Sequence, residues 1–368
     1  GPFEGVFASS ERTNLKGLKK AGALGEHFGP HGFDYVGNEA ADISVFRQAA
    51  TGVLVGGGAS LLRRARLANS SVAHLPAKAT WRDLWDLARP YQWVKNFLLF
   101  VPAVGAKAFD LPLLWNLFLG FLALSAVASA LYVLNDLLDV ADDRTHPTKR
   151  YRPLAQGNVS VPVASVLSGL LTLLGILIAF SVSPLFLAVL GAYSLLALAY
   201  SLFLKRLAVL DVFGLASLYA VRLIGGAVIA NVALSPWLMS FSFFVFLFLA
   251  LAKRYVEITD DNLEQGEKVR GRGYKPSDSN LVGWAGVSIG VVSAMLLALY
   301  VEDRAGGVGG RSVDWSWGMI PLWLYWVLRT WLKAFRSELE GDPVVYALRD
   351  RTSLLTAIVL VVVFLVTG

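Results

Sequence analysis

From Trp81 onward, long apolar runs alternate with short polar breaks. An amphipathic lead-in, Trp81–Ala88, opens into a first run reaching about Ala106. Further runs cover Leu111–Leu134, Val161–Val182, Pro184–Leu204, Val209–Val232, Pro236–Leu251, Leu281–Val301, Trp315–Leu332 and Ser353–Thr367. Most approach the ~20 residues that carry a helix across a bilayer. The pattern predicts an all-α polytopic membrane protein with about nine transmembrane helices. Residues 3–75 read differently, as short apolar runs broken by Gly, Asn and charged residues. Tyr35–Val55 has the order strand end, turn, helix, strand. This predicts a small N-terminal α/β appendage over 1–75, ahead of a membrane domain over 76–368. Leu61–Lys78 reads as a linker whose Arg63, Arg64 and Arg66 would lie near anionic headgroups. Gly1-Pro2 looks like the scar of tag removal, so Phe3 is the first native residue expected. No signal-peptide pattern is seen in the first 80 residues.

The polar breaks differ in charge. Asn135–Ser160, Lys205–Leu207, Lys253–Asn280 and Lys333–Arg351 are rich in Lys and Arg. Lys107–Asp110, Ser183, Asn231–Ser235 and Glu302–Asp314 hold only Lys107, Arg304 and Arg311. Positive loops stay in the cytoplasm, which puts the first set and the N-terminus there and Gly368 outside. Composition agrees: 55% hydrophobic and 16% charged residues, with mean hydropathy +0.56, exclude an ordinary soluble domain. With no Cys, disulfides and thiolate metal sites are excluded. The net charge of +6 is small, and the cations sit beside acids at membrane edges. That argues against nucleic acid as a partner.

The densest chemistry lies in Asn135–Gly157, NDLLDVADDRTHPTKRYRPLAQG. On a helix Asn135, Asp139 and Asp143 share a face, and Asp136 and Asp143 lie close in angle. Stacked carboxylates at a membrane surface repel unless a cation separates them. An oxygen-only donor set suits Mg²⁺, which keeps waters and bridges to substrate phosphates. Gln92, Lys95 and Asn96, spaced i, i+3, i+4, would share one helix face. Asp211 and Arg222 lie inside a span, where ionisable groups are functional candidates. They are three turns, ~16 Å, apart, so each is expected to pair with another helix. Lys253 and Glu257 are four apart. Ser353 or Thr352 can start a helix, and Pro343 can break one.

The spacing N-D-x-x-D-x-x-x-D followed by R-x-H-P-x-K-R-x-R-P-L-A-x-G resembles the first aspartate-rich motif of the UbiA-type membrane prenyltransferases. Within that superfamily it is most similar to the polyprenyl-phosphate phosphoribosyltransferases. Arg89-Pro90-x-Gln92-Trp93-x-Lys95-Asn96, the K-R-x-x-E of Lys253, Arg254 and Glu257, Asp342-Pro343-Val344 and Asp350-Arg351-Thr352-Ser353 resemble the same branch. The resemblance implies a nine-helix UbiA-type bundle with a polar cavity at the cytoplasmic face. It implies Mg²⁺-dependent transfer of a phosphoribosyl group from phosphoribosyl diphosphate (PRPP) to a polyprenyl phosphate, for cell-envelope glycan precursors. Mg²⁺ would bind Asn135, Asp136, Asp139 and Asp143. Asp136, Asp139, Asp143, Lys149 and Arg152 would be catalytic. Arg89, Gln92, Lys95, Asn96, His146, Lys205, Arg222, Lys253, Arg254 and Glu257 would bind substrate. A bacterial inner membrane is the expected location, and a second copy of the chain is a candidate partner. Two other readings are an isoprenyl-diphosphate prenyltransferase and a cation transporter. The first would need a second metal motif, for which Glu257, Asp260 and Asp261, following Lys253-Arg254, are poor candidates. Charges gathered at one face argue against the second.

In the N-terminal segment, Ser9, Lys20, Gly37, Asn38 and Asp42 resemble the later motifs of haloacid-dehalogenase-type phosphatases. No D-x-D nucleophile motif precedes Ser9, so an appendage without phosphatase chemistry is expected.

Overall fold

The computed structural model describes residues 15–75, 79–145, 148–259, 273–304, 315–339, 346–347 and 349–367. The chain forms two compact units, Gly1–Arg89 with Tyr132–Leu170, and Pro90–Leu131 with Leu171–Gly368.

In the first unit, α1 (Leu18–Phe28), β1 (Tyr35–Gly37), α2 (Ile43–Phe46), β2 (Gly52–Val55), α3 (Ala59–Ala68) and β3 (Val72–Leu75) follow in order. The three strands make one parallel sheet, β1-β2-β3, with Tyr35 opposite Gly52 and Gly52 opposite Val72. Parallel neighbours need crossovers, and α2 and α3 supply them. Phe46, Leu54, Ala65 and Val72 form its core. The expected strand–turn–helix–strand order over 35–55 is present. Of the expected linker over 61–78, the described part, 61–75, is instead the rest of α3 and then β3. Leu61 and Leu62 pack on the core beside Ala65, while Arg63, Arg64 and Arg66 stay exposed. The arginines that suggested a linker are thus the wet face of an amphipathic helix. Asp42 accepts from the Asn38 and Glu39 amides, both at 2.9 Å, and from the Tyr35 hydroxyl at 2.7 Å. Lys20 donates to the same hydroxyl at 3.1 Å. Ser9 lies outside the described residues.

The rest of this unit begins with α4 (Trp81–Ala88), started by a reciprocal Thr80–Asp83 cap. It continues with the end of α6 (Leu111–Leu138), α7 (Val140–Thr145), a 3₁₀ turn (Lys149–Tyr151), α8 (Pro153–Gln156) and the start of α9 (Val161–Val182). Leu87, Val133, Leu154, Val159 and Ala164 form a second small core.

The second unit opens with a 3₁₀ helix (Pro90–Phe100) and α5 (Val101–Gly105). It also holds α10 (Pro184–Leu202), α11 (Leu210–Ala230), α12 (Pro236–Ile258), α13 (Ser279–Arg304), α14 (Met319–Phe335) and α15 (Arg351–Thr367). Its core is aromatic, with Phe248, Trp323, Trp326 and Trp331 buried together. Gly226 lets α11 press on the 3₁₀ helix: a Cβ there would meet the Leu99 carbonyl oxygen at 2.0 Å.

Among the described residues, six helices are long and apolar enough to cross a bilayer: those over 111–138, 161–182, 184–206, 210–230, 236–258 and 276–303. They make the chain an integral membrane protein. The other three expected spans are shorter. Over 90–105 the 3₁₀ helix rises ~2 Å per residue and α5 ~1.5 Å, so sixteen residues reach ~30 Å, about the thickness of the hydrocarbon core. Met319–Phe335 and Arg351–Thr367 have 17 residues each.

Candidate active site

The Asn135–Gly157 stretch folds back on itself. Helical hydrogen bonds run through the junction of α6 and α7: the Asp139 amide donates to Asn135 and the Asp143 amide to Asp139, both at 2.9 Å. The predicted spacing is therefore kept. The Asn135 side-chain amide donates to Asp139 Oδ2 at 3.0 Å, as i, i+4 neighbours should. Asp136 and Asp143, seven apart, turn to one guanidinium. Arg152 Nη1 lies 3.0 Å from Asp136 Oδ1 and 2.6 Å from Asp143 Oδ2. Arg89 Nη2 reaches the same Asp136 oxygen at 2.5 Å and stacks on Tyr132. The carboxylates are nearly closed off, at 2% and 4% exposure, while Arg152 is 26% exposed and Arg89 15%. The cluster presents guanidinium outward and keeps carboxylate beneath.

One core fixes three of these residues. Buried Leu87 lies two residues before Arg89, Val133 one turn before Asp136, and Leu154 two after Arg152. Arg152 precedes Pro153 and takes the extended conformation that position favours. Arg89 ends α4 with φ +52°, in the left-handed region an arginine seldom adopts. Arg144 also belongs to this unit. It donates to the Ala155 carbonyl and pairs with Glu39 at 2.8 Å. Lys149 is exposed on its 3₁₀ turn. His146, Asp260, Asp261 and Asp342-Pro343-Val344 lie outside the described residues.

Among the described residues, no three His, Asp or Glu side chains converge tightly enough to hold an ion unaided. The donor set still fits a hard cation. Asp136 and Asp143 are brought to a common point, and a positive group, Arg152 Nη1, stands there. Mg²⁺ needs only one or two carboxylates when substrate phosphates and water complete its shell.

In the second unit, the predicted face of Gln92, Lys95 and Asn96 is not shared. The segment is 3₁₀, where i and i+3 eclipse and i+4 turns away by ~120°. Lys95 lies over the Tyr219 ring. Asn96 instead donates to Ser125 Oγ at 2.9 Å and accepts from Arg222 Nε at 2.9 Å. Arg222, buried within α11, also donates to the Tyr193 hydroxyl at 3.1 Å and to the Leu218 carbonyl. Its guanidinium lies over Tyr193 and Tyr219. The charge is thus solvated by an amide, a phenol, a carbonyl and two aromatic faces.

Asp211 and Arg254 are both fully buried, with Asp211 Oδ2 and Arg254 Nη2 at 2.7 Å. That contact lies off the line of a directed hydrogen bond, so it is chiefly coulombic. The Tyr274 hydroxyl donates to Asp211 Oδ1 and accepts from the Val209 amide, both at 2.8 Å. Burial, and next the hydrogen bond to Asp211, raise Tyr274 above the ordinary phenol range and keep it a donor. Arg254 also pairs with Glu257. The expectation that Asp211 and Arg222 pair with other helices holds, with the partners now identified. Lys205 and Lys253 are half-buried near helix ends.

Tyr193, Ser125, Tyr219 and Tyr274 were not singled out in the sequence. For the first three a signal was available. A buried Arg222 must find polar partners within the spans, and Ser and Tyr are the residue types able to serve. Tyr274 carries no such mark, because it lies outside any apolar run.

Apolar helices with carboxylates and guanidiniums collected at a helix end are a build that a membrane-embedded transferase can use. The chain belongs to the UbiA prenyltransferase family, whose model matches residues 97–349. It is 38% identical to the uncharacterised protein y4nM of Sinorhizobium fredii, over 96% of this chain and 69% of that protein. It is 32% identical to the decaprenyl-phosphate phosphoribosyltransferase of Mycolicibacterium smegmatis, over 75% of this chain and 89% of that protein. Its fold is similar to that of a UbiA homolog from Archaeoglobus fulgidus bound to GPP and Mg²⁺. The TM-score is 0.56 and the identity 18%, with 78% of this chain and 98% of that one covered.

Proposed function

We propose that the chain transfers a 5-phosphoribosyl group from PRPP to a polyprenyl phosphate, releasing diphosphate, as a step toward cell-envelope glycan precursors. The observation that carries this reading is the Arg89–Asp136–Arg152–Asp143 cluster at the end of a 28-residue apolar helix. It offers guanidiniums for phosphate oxygens directly above carboxylates suited to a hard cation. Similarity to the Mycolicibacterium enzyme supports phosphoribosyl as the group moved.

Arg152, Arg89 and Lys149 would hold the donor's diphosphate, with Arg152 and Arg89 offering planar forks. Mg²⁺ held by Asp136, Asp139 and Asp143, with Asn135 beside them, would supply positive charge against the leaving diphosphate. The bond from sugar C1 to the diphosphate oxygen breaks and one to the lipid phosphate oxygen forms, through an oxocarbenium-like state. The lipid phosphate is already ionised at neutral pH, so no side chain need act as general base. Gln92, Lys95, His146, Lys205 and Lys253 are the candidates for remaining phosphate contacts. Asn96, Arg222, Arg254 and Glu257, engaged with one another or with neighbouring helices, would position rather than touch substrate. The charge asymmetry of the loops supports a site facing the cytoplasm of a bacterial inner membrane.

Purified protein incubated with Mg²⁺, labelled PRPP and a polyprenyl phosphate should move label into the organic phase. Transfer should require the lipid and be lost in Asp139→Asn. No label from PRPP, together with transfer from an isoprenyl diphosphate to an aromatic acceptor, would replace this reading by prenyl transfer.

A further inference from the structure

We infer that Arg152 is an internal stand-in for the divalent ion, so that metal and donor diphosphate load as an interdependent pair; the inference rests on the reading above. Arg152 Nη1 occupies the point shared by Asp136 Oδ1 and Asp143 Oδ2, at 3.0 and 2.6 Å. A cation bridging those two carboxylates would need the same ground. Arg89 differs: of the two carboxylates, the one it contacts is Asp136.

Three features make Arg152 displaceable. Its backbone is anchored by Leu154 in a closed core, so the side chain can swing without unfolding the loop. It is 26% exposed, whereas the carboxylates it covers are 2% and 4% exposed. Incoming solutes therefore meet guanidinium first. A free divalent cation is repelled there, and a diphosphate is attracted. The diphosphate also offers Arg152 a bidentate partner in exchange for the two contacts that Nη1 alone makes to Asp136 and Asp143. Once the guanidinium turns to the diphosphate, Asp143 has lost Arg152 and Asp136 keeps Arg89 as its cation, so the two carboxylates carry a net negative charge that favours a metal ion. By linkage the coupling is reciprocal: the metal tightens diphosphate binding by the factor by which diphosphate tightens the metal.

The test is direct binding of Mn²⁺ to purified protein in detergent, read from the free-ion EPR signal with no substrate present. A nearby unit charge shifts carboxylate affinity for a proton by about one to three decades, so Arg152→Gln should bind Mn²⁺ at least ~10-fold more tightly than wild type. Arg152→Lys keeps the charge and should stay near wild type. Arg89→Gln removes an equal charge outside the bridging point and should gain less than Arg152→Gln. Inorganic diphosphate, titrated against protein and Mn²⁺ with solution chelation subtracted, should raise bound Mn²⁺ in wild type and add little in Arg152→Gln. Melting curves report folding, and Arg152→Met replaces Arg152→Gln if the latter does not fold.

Equal Mn²⁺ affinity in wild type and Arg152→Gln overturns the inference, as does an Arg89→Gln gain matching that of Arg152→Gln. If wild type binds Mn²⁺ tightly without diphosphate and Asp139→Asn abolishes it, the metal reading survives and the stand-in role is lost. If no bound Mn²⁺ is detected in any variant, with or without diphosphate, the metal reading falls and this inference with it.

Discussion

Asp136 and Asp211 carry the same side chain, both buried, both answered by arginine, and both close to the end of an apolar helix. Their surroundings separate them. Above Asp136 the arginines are partly exposed, at 15% and 26%, and Arg152 is shared with a second carboxylate. Around Asp211 the pair is sealed at 0% exposure on both sides, with Tyr274 closing one carboxylate oxygen. The wet cluster can exchange partners, since a displaced guanidinium or carboxylate finds water or phosphate. The dry cluster cannot, because an unpaired charge there meets only low-dielectric protein. Motif spacing treats Arg152 and Arg254 alike, as cations near acids. Exposure separates them: Arg152 is 26% exposed and Arg254 is fully buried, which fits the proposed chemistry at the first and a helix-joining role at the second.

The largest effect that would test this contrast is on turnover. Asp143→Asn keeps size and one acceptor but removes the charge beside Arg152. Turnover should fall by ~100-fold or more, the usual loss when a preorganised charged partner of a transition state is removed. The melting temperature in detergent should stay near wild type, because Arg152, the charge left behind, is 26% exposed and can turn to water. An Asp143→Asn protein that melts far earlier than wild type would erase the distinction between the clusters.

Asp211→Ala should reverse the pattern. Removing one member of a sealed pair typically costs up to ~3–5 kcal/mol, and here the cost is moderated because Arg254 keeps its ion pair with Glu257. The readout is a large drop in melting temperature or yield. Asp211→Leu combined with Arg254→Met removes both charges and should recover much of that loss. If the double variant melts no later than Asp211→Ala, Arg254 has a duty beyond answering Asp211, and contact with substrate phosphate becomes the first alternative.

Much of this arrangement was legible beforehand. Apolar run lengths located six of the nine expected spans as helices long enough to cross a bilayer among the described residues, and the other three are shorter. Helical arithmetic correctly joined Asn135 to Asp139 and brought Asp136 near Asp143. It could not see that Arg152, after a chain reversal, returns to sit between the latter two. Turn geometry depends on packing, here of Leu154 and Val159 on Val133, and periodicity carries no record of it. Arg89 and Arg152 were each named as candidates, yet their shared partner was hidden, since Arg89 and Asp136 are 47 residues apart. Gln92, Lys95 and Asn96 were assigned a shared face that a 3₁₀ helix does not provide. That segment lies close against Gly226 at Leu99, a tertiary contact that periodicity does not record. In the α/β segment, three arginines within four residues masked a helix whose apolar side includes Leu61, Leu62 and Ala65.

A third acid–base cluster falls between the two extremes and gives the smallest expected effect. Asp350 caps α15, accepting from the Ser353 amide at 2.9 Å and its hydroxyl at 2.8 Å. Arg329 holds it with two hydrogen bonds, at 2.7 and 3.0 Å. Arg329 first, and Ser353 with it, hold the Asp350 carboxyl well below its ordinary value of 3.8. A carboxyl whose proton affinity is lowered by folding stabilises the fold at any pH above its unfolded value, and loses that contribution as pH falls through the folded value. Attachment of α15 should therefore be insensitive to pH from neutrality down to about 4 and weaken only below it. Asp350→Asn should lower the melting temperature modestly at pH 7, by an amount that shrinks in stronger acid. Melting curves of both proteins across that range would check it. A difference that stays the same from pH 7 into acid below about 4 would mean that folding leaves the Asp350 proton affinity unchanged, and that Arg329 does not hold α15 through it.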